Sequence, residues 1–91
     1  MKIKLLRAFW GCGDNEIIEF ALFRARLNRV EKEVVRLILD ECYTQEEAAE
    51  YLNLSVRKIQ KIWFDAANKL INIAWVQAYS KFLLEGENNN E

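Results

Sequence analysis

The chain contains no proline, and its glycines stand only at positions 11, 13 and 86. Glycine and proline are the residues that most often punctuate secondary structure. A chain so poor in both, with apolar residues recurring at helical spacing nearly throughout, is predicted to be all-α. Gly11-Cys12-Gly13 is the one clear break. It divides a short N-terminal segment, residues 1–13, from a helical domain at 14–84, and the polar ending EGENNNE, residues 85–91, reads as a disordered tail.

With 91 residues the chain is one domain, near the lower end of what folds without staples, and its 52% apolar content with three Trp and five Phe supplies a compact core. Cys12 and Cys42 stand thirty positions apart, and there is no His. Zinc-finger ligand spacing is therefore missing, and neither a metal nor a cofactor is expected. Sequence leaves a single disulfide open, but the expectation is free buried thiols in a reducing cytosol. Arg7 interrupts the apolar start MKIKLLRAFW, which does not fit a signal peptide. No stretch approaches the roughly eighteen apolar residues of a membrane span. The expectation is a soluble, cytoplasmic protein that makes no use of a membrane.

Local signals divide 14–84 into four helices. Asp14 and Asn15 are competent N-caps for the first, which carries Ile17, Ile18, Phe20, Ala21, Leu22 and Phe23. Asn28 opens the second with Glu31 at capping-box spacing, and Val30, Val34, Leu37 and Ile38 share its apolar face. Asp40 to Tyr43 form a connector. Thr44 and Glu47 make a stronger capping box for a short third helix, whose inner face is Ala48, Ala49 and Leu52. Asn53 suits a left-handed helix end, Leu54 plugs the turn, and Ser55 caps the fourth helix. That helix is predicted to run from Val56 to about Leu84, with Ile59, Ile62, Ala66, Leu70 and Ile73 facing inward.

Two helices joined by a short turn, the first with a small-residue face and the second with a basic start, form the helix-turn-helix pattern. The spacing narrows it further. LNRVEKEVVRL, TQEEAAEYLNLS and VRKIQKIWFDAANKL, within Leu27 to Leu70, resemble the fourth conserved region of bacterial sigma factors, which reads the −35 promoter element. Measured from Ser55, the family's apolar positions fall on Ile59 and Ile62, its alanine on Ala66 and its Lys-Leu pair on Lys69 and Leu70. Asn28 replaces the usual proline and Asn53 the usual turn glycine. The LuxR-type response-regulator domain shares much of the pattern, but normally has Thr-Val where this chain has Lys58-Ile59. With no second domain to bind core polymerase, the chain is more similar to small stand-alone region-four-like regulators of phages and mobile elements.

The resemblance implies a DNA-binding transcription regulator that reads duplex DNA in the major groove through the 55–69 helix. The family's base-reading positions, one, two, five and six after the Ser, commonly hold Arg, Glu, Arg and Gln. Here they are Val56, Arg57, Gln60 and Lys61, so the preferred sequence is expected to differ from a housekeeping −35 element. Arg57 and Lys61 suit guanine O6 and N7, Gln60 an adenine and Val56 a thymine methyl. Lys58, Thr44 and Ser55 are placed for phosphates. The alternatives are a module that binds RNA polymerase or another partner through the same fold, and a DNA-packaging protein of the small-terminase kind. Trp63 and Phe64 read as core or interface, since base stacking is mainly a single-strand device. With no His, no phosphate loop and no nucleophile beside a base, the chain is not expected to be an enzyme.

The net charge of −1 does not oppose this reading, because it sums opposed blocks: +3 over 1–39, −5 over 40–54, +4 over 55–84 and −3 over 85–91. Affinity for phosphate depends on the field within a Debye length of about 10 Å. Beyond Leu70 the fourth helix is apolar nearly all round and needs cover on several sides. Two arrangements supply it: a homodimer through residues 71–84 with Ile71, Trp75, Tyr79 and Phe82 at the interface, joined by residues 3–10 as an arm, or intramolecular cover by IKLLRAFW.

Overall fold

The computed structural model describes residues 2–88, which form helices and connecting turns without a strand. The helices are α1 (Lys2–Trp10), α2 (Asn15–Arg24), α3 (Arg29–Val35), α4 (Gln45–Leu52), α5 (Val56–Ile71) and α6 (Ala74–Asn88). The expected all-α helix-turn-helix class is what the chain adopts. Asp14 caps α2 by accepting from the Glu16 and Ile17 N–H groups. Asn28 and Glu31 form the full reciprocal capping box of α3. No helix among the described residues is long and apolar enough to cross a membrane.

α3 does not stop at Val35. It continues as one π-helical turn, Arg36–Asp40, closed by the Glu41 N–H on the Arg36 carbonyl at 3.1 Å. The wider turn buries Leu37, Ile38 and Leu39 in succession. It also sets Asp40 to accept from the Trp10 indole and to lie near Arg36, which also pairs with Glu19 on α2. One turn thereby ties α1 and α2 to the base of the helix-turn-helix.

Part of the C-terminal apolar surface is covered within the chain. α1 packs along α6 and α5, with Leu6 and Phe9 fully buried and Trp10 nearly so. The i, i+3, i+4 spacing of these three residues is the inward stripe of an amphipathic helix. The Phe9 ring meets Trp75 and Tyr79 edge-on at 5.9 and 6.0 Å, in the T-shaped arrangement aromatic quadrupoles favour.

α1 can reach α6 because the single long helix expected from Val56 to Leu84 is broken. α5 ends at Ile71, Asn72 and Ile73 make a turn, and α6 starts at Ala74. Asn competes with helical hydrogen bonding through its own side chain. Here the Gln77 amide bridges the break by donating to the Ile71 carbonyl at 3.3 Å. The change of direction buries Val76 and Ser80. The Ser80 hydroxyl satisfies itself by donating to the Val76 carbonyl one turn back, at 2.6 Å. α6 also carries past Leu84 to Asn88, where the sequence suggests a tail; the rest of that tail, 89–91, lies outside the described residues.

Both thiols are unpaired, but neither is buried as expected. Cys42 is exposed in the connector at a φ of +60°, and Cys12 is half-buried in the turn before α2.

Candidate nucleic-acid interface

The pair α4 and α5 is fixed mostly by local chemistry. Thr44 Oγ1 accepts from the Glu47 N–H at 3.1 Å, and Glu47 Oε1 accepts from the Thr44 N–H at 2.8 Å. Two of the orphan donors at the start of α4 are thereby satisfied. At the other end Asn53 takes the left-handed conformation, φ 58° and ψ 45°. The Leu54 N–H then reaches the Ala49 carbonyl at 2.9 Å and the Asn53 N–H the Glu50 carbonyl at 3.3 Å. These two bonds are the Schellman pattern. Ser55 next caps α5, its Oγ accepting from the Lys58 N–H at 3.1 Å. The buried Ala48 and Ala49 let α5 approach closely.

On α5 the buried residues are Ile59, Trp63, Ala66, Leu70 and Ile71, while Ile62 is only half-buried. The inward stripe is thus turned toward Trp63 relative to the sequence expectation, which had Ile62 in its place. Rotating the stripe fixes what faces out. Arg57, Gln60, Lys61 and Phe64 are all exposed, and their i, i+3, i+4, i+7 spacing makes them one continuous face. Three of the four predicted base readers are brought together there. The fourth, Val56, is half-buried and packs against the core.

Of the two aromatics read as core or interface, Trp63 is buried, whereas Phe64 is 61% exposed and so is not core. The signal was present, because Phe64 lies seven positions after Arg57, two helical turns along the same face. Seven residues advance about 10.5 Å, or roughly three base-pair steps, along a helix lying in a groove.

The predicted phosphate contacts surround this face. Lys58 is exposed and lines a shallow cleft with Asn28, Val30, Lys61 and Asp65, between the start of α3 and α5. Thr44 and Ser55 are exposed N-caps whose oxygens act as acceptors in the caps. A hydroxyl used this way still has its own O–H to donate, and both lie at helix N-termini, where partial positive charge favours an anion. Lys61 Nζ sits 3.3 Å from Asp65 Oδ2, one turn along α5. The block Glu46, Glu47 and Glu50 is exposed on α4, on a different helix from the basic face.

The residues predicted for a dimer interface do not share one outward face. Ile71 is fully buried inside the chain, Trp75 and Tyr79 are half-buried against Phe9, and only Phe82 stands free at 69% exposure. Ile71 is therefore part of the core, because the break at Asn72 keeps it on the inner side of α5. Phe20 and Phe23 of α2 are exposed as well.

Residues 25–71 match the family described as Sigma-70, region 4. The match starts in the turn after α2, ends with α5 and covers more than half of the chain. The chain belongs to this family, whose domain is a DNA-binding helix-turn-helix. No curated protein and no solved structure matches the chain. α1 and α6, which close the core from outside, lie beyond the matched span.

Proposed function

We propose that the protein is a transcription regulator that reads duplex DNA by laying α5 in the major groove. The observation that carries this is the outward face of α5, where Arg57, Gln60, Lys61 and Phe64 stand together in solvent beside the capped N-terminus at Ser55. Side chains of these types have partners on major-groove edges: guanine O6 and N7 for Arg and Lys, adenine N6 and N7 for Gln, and the thymine methyl for an apolar group. Thr44, Ser55 and Lys58 would hold the flanking phosphates and set the register.

The test is selection of bound sequences from a random duplex pool, followed by salt-titrated gel shifts on the winner. Each of Arg57→Ala and Lys61→Ala is expected to cost about 1–3 kcal/mol on the selected site and to relax the preference at one base pair. Undiminished binding by the double variant removes α5 as the reader. A pool that yields no enriched sequence, with weak and salt-insensitive retention but co-purification with RNA polymerase, selects a polymerase-docking module instead.

A further inference from the structure

The side of the molecule formed by α2 and α6 is apolar and open, and it lies away from the reading face of α5 in sequence and in its residues. Ile17 and Phe20 of α2 face Trp75, Ala78 and Tyr79 of α6 across a cleft, with the Phe20 and Trp75 rings 5.8 Å apart. Phe23, one turn beyond Phe20, and Phe82, one turn beyond Ala78, extend the two walls. Phe20, Phe23 and Phe82 are 55%, 78% and 69% exposed, leaving on the order of 100–150 Å² of bare aromatic surface on each. Adding the open sides of Trp75, Ala78 and Tyr79 brings the patch to about 500–600 Å², the top of the range for the largest patch on a monomer.

We propose that this face is closed by the same face of a second copy of the chain, in a two-fold dimer with α2 of each protomer lying across α6 of the other. Two observations favour a second copy over a different protein. First, two such patches bury roughly 1,000–1,200 Å² together, the threshold of a specific interface. Second, the rim is self-complementary. Glu16 borders the cleft on the α2 side and Lys81 is exposed on α6, and neither has an ion-pair partner among the described residues. A two-fold that sets α2 against α6 of the other copy makes any Glu16–Lys81 contact twice, as an isologous contact requires. The dimer differs from one built on α6 and α1 alone, because α1 is spent on covering α6 within the chain. Where the DNA-reading role holds, the dimer carries two reading helices and calls for an inverted pair of half-sites.

The test is sedimentation equilibrium of the full chain without DNA, at concentrations up to about 100 μM, where a contact of this size is populated. The expected mass is twice the 10.8 kDa of one chain. Phe20→Ser with Phe82→Ser is expected to weaken association on the order of 100-fold or more. Both rings are more than half exposed, so the variant should stay folded, which an unchanged helical circular dichroism spectrum checks. Glu16→Lys alone should weaken the dimer, and adding Lys81→Glu should restore it. A monomer throughout that concentration range overturns the proposal, as does a dimer indifferent to the paired serine substitutions. Because no DNA is present, either failure leaves the DNA-reading role of α5 standing, and absence of DNA binding leaves the dimer standing.

Discussion

Lys69, near the end of α5, donates to both carboxylate oxygens of Glu31 at 2.9 Å each, clamping α5 to the start of α3. Glu31 is buried, and its Oε1 also accepts from the Asn28 N–H at 2.9 Å as half of a capping box. A buried carboxylate survives only when its lone pairs are used, and here three hydrogen bonds from two donor groups converge on it. Lys69 keeps part of its side chain in solvent, so its own desolvation cost is small. Glu31→Ala removes cap and clamp together and is expected to destabilise the fold by about 2–4 kcal/mol. Glu31→Gln, which can still accept from Asn28, should cost roughly half as much. Urea unfolding measures both; a Glu31→Ala loss below about 0.5 kcal/mol would show the clamp to be idle.

Asn53 occupies the left-handed region that other side chains enter at a cost of about 1–2 kcal/mol. The Schellman bonds to Ala49 and Glu50 require that conformation. Asn53→Val should therefore lower stability by about 1–2 kcal/mol, and Asn53→Gly should leave it within about 1 kcal/mol of the parent. If valine proves as stable as asparagine in thermal unfolding, the turn is not holding the angle between α4 and α5 as described.

The parts of the fold legible in sequence are those decided within a few residues. Asn28 with Glu31, Thr44 with Glu47, Asn53 and Ser55 each make their bonds within one turn of chain, so spacing alone reveals them. The break at Asn72-Ile73 was hidden because apolar residues continue across it. It is set by α1, whose Phe9 needs Trp75 and Tyr79 turned toward it. The π turn was hidden for the same reason, since Asp40 is held by Trp10, thirty residues away. The neighbouring aromatics Trp63 and Phe64 fell into one class by sequence, but adjacent helix positions point about 100° apart, and only Trp63 is buried. The lysine clamp on Glu31 spans 38 residues, which a capping-box pattern does not reveal.

α1 lies outside the family span yet supplies Leu6 and Phe9 to the core with no exposure to solvent. Phe9→Ala should cost about 3–5 kcal/mol, the usual loss when a large aromatic is removed from a packed interior. Trp10→Phe deletes the indole donor to Asp40 together with one ring's worth of packing, and about 1–2 kcal/mol is expected. Calorimetric unfolding separates the two. Equal, small losses would mean that α1 is an appendage rather than a part of the domain.

Asp65 is the lone acid among residues 55–84, and it stands one turn from Lys61. Their pair, at 3.3 Å, is an exposed i, i+4 contact, worth only about 0.3–0.5 kcal/mol. Releasing Lys61 to a base therefore costs little, while the carboxylate left behind opposes the DNA charge from within a Debye length of about 10 Å. Asp65→Asn should tighten binding to unrelated duplexes several-fold at low salt, because it removes repulsion that no base sequence relieves. Lys58→Ala should act in the opposite sense, weakening all sequences alike and lowering the salt slope by about 1. Unchanged affinity for Asp65→Asn, together with an unchanged slope for Lys58→Ala, would mean that this side of α5 does not face the DNA backbone.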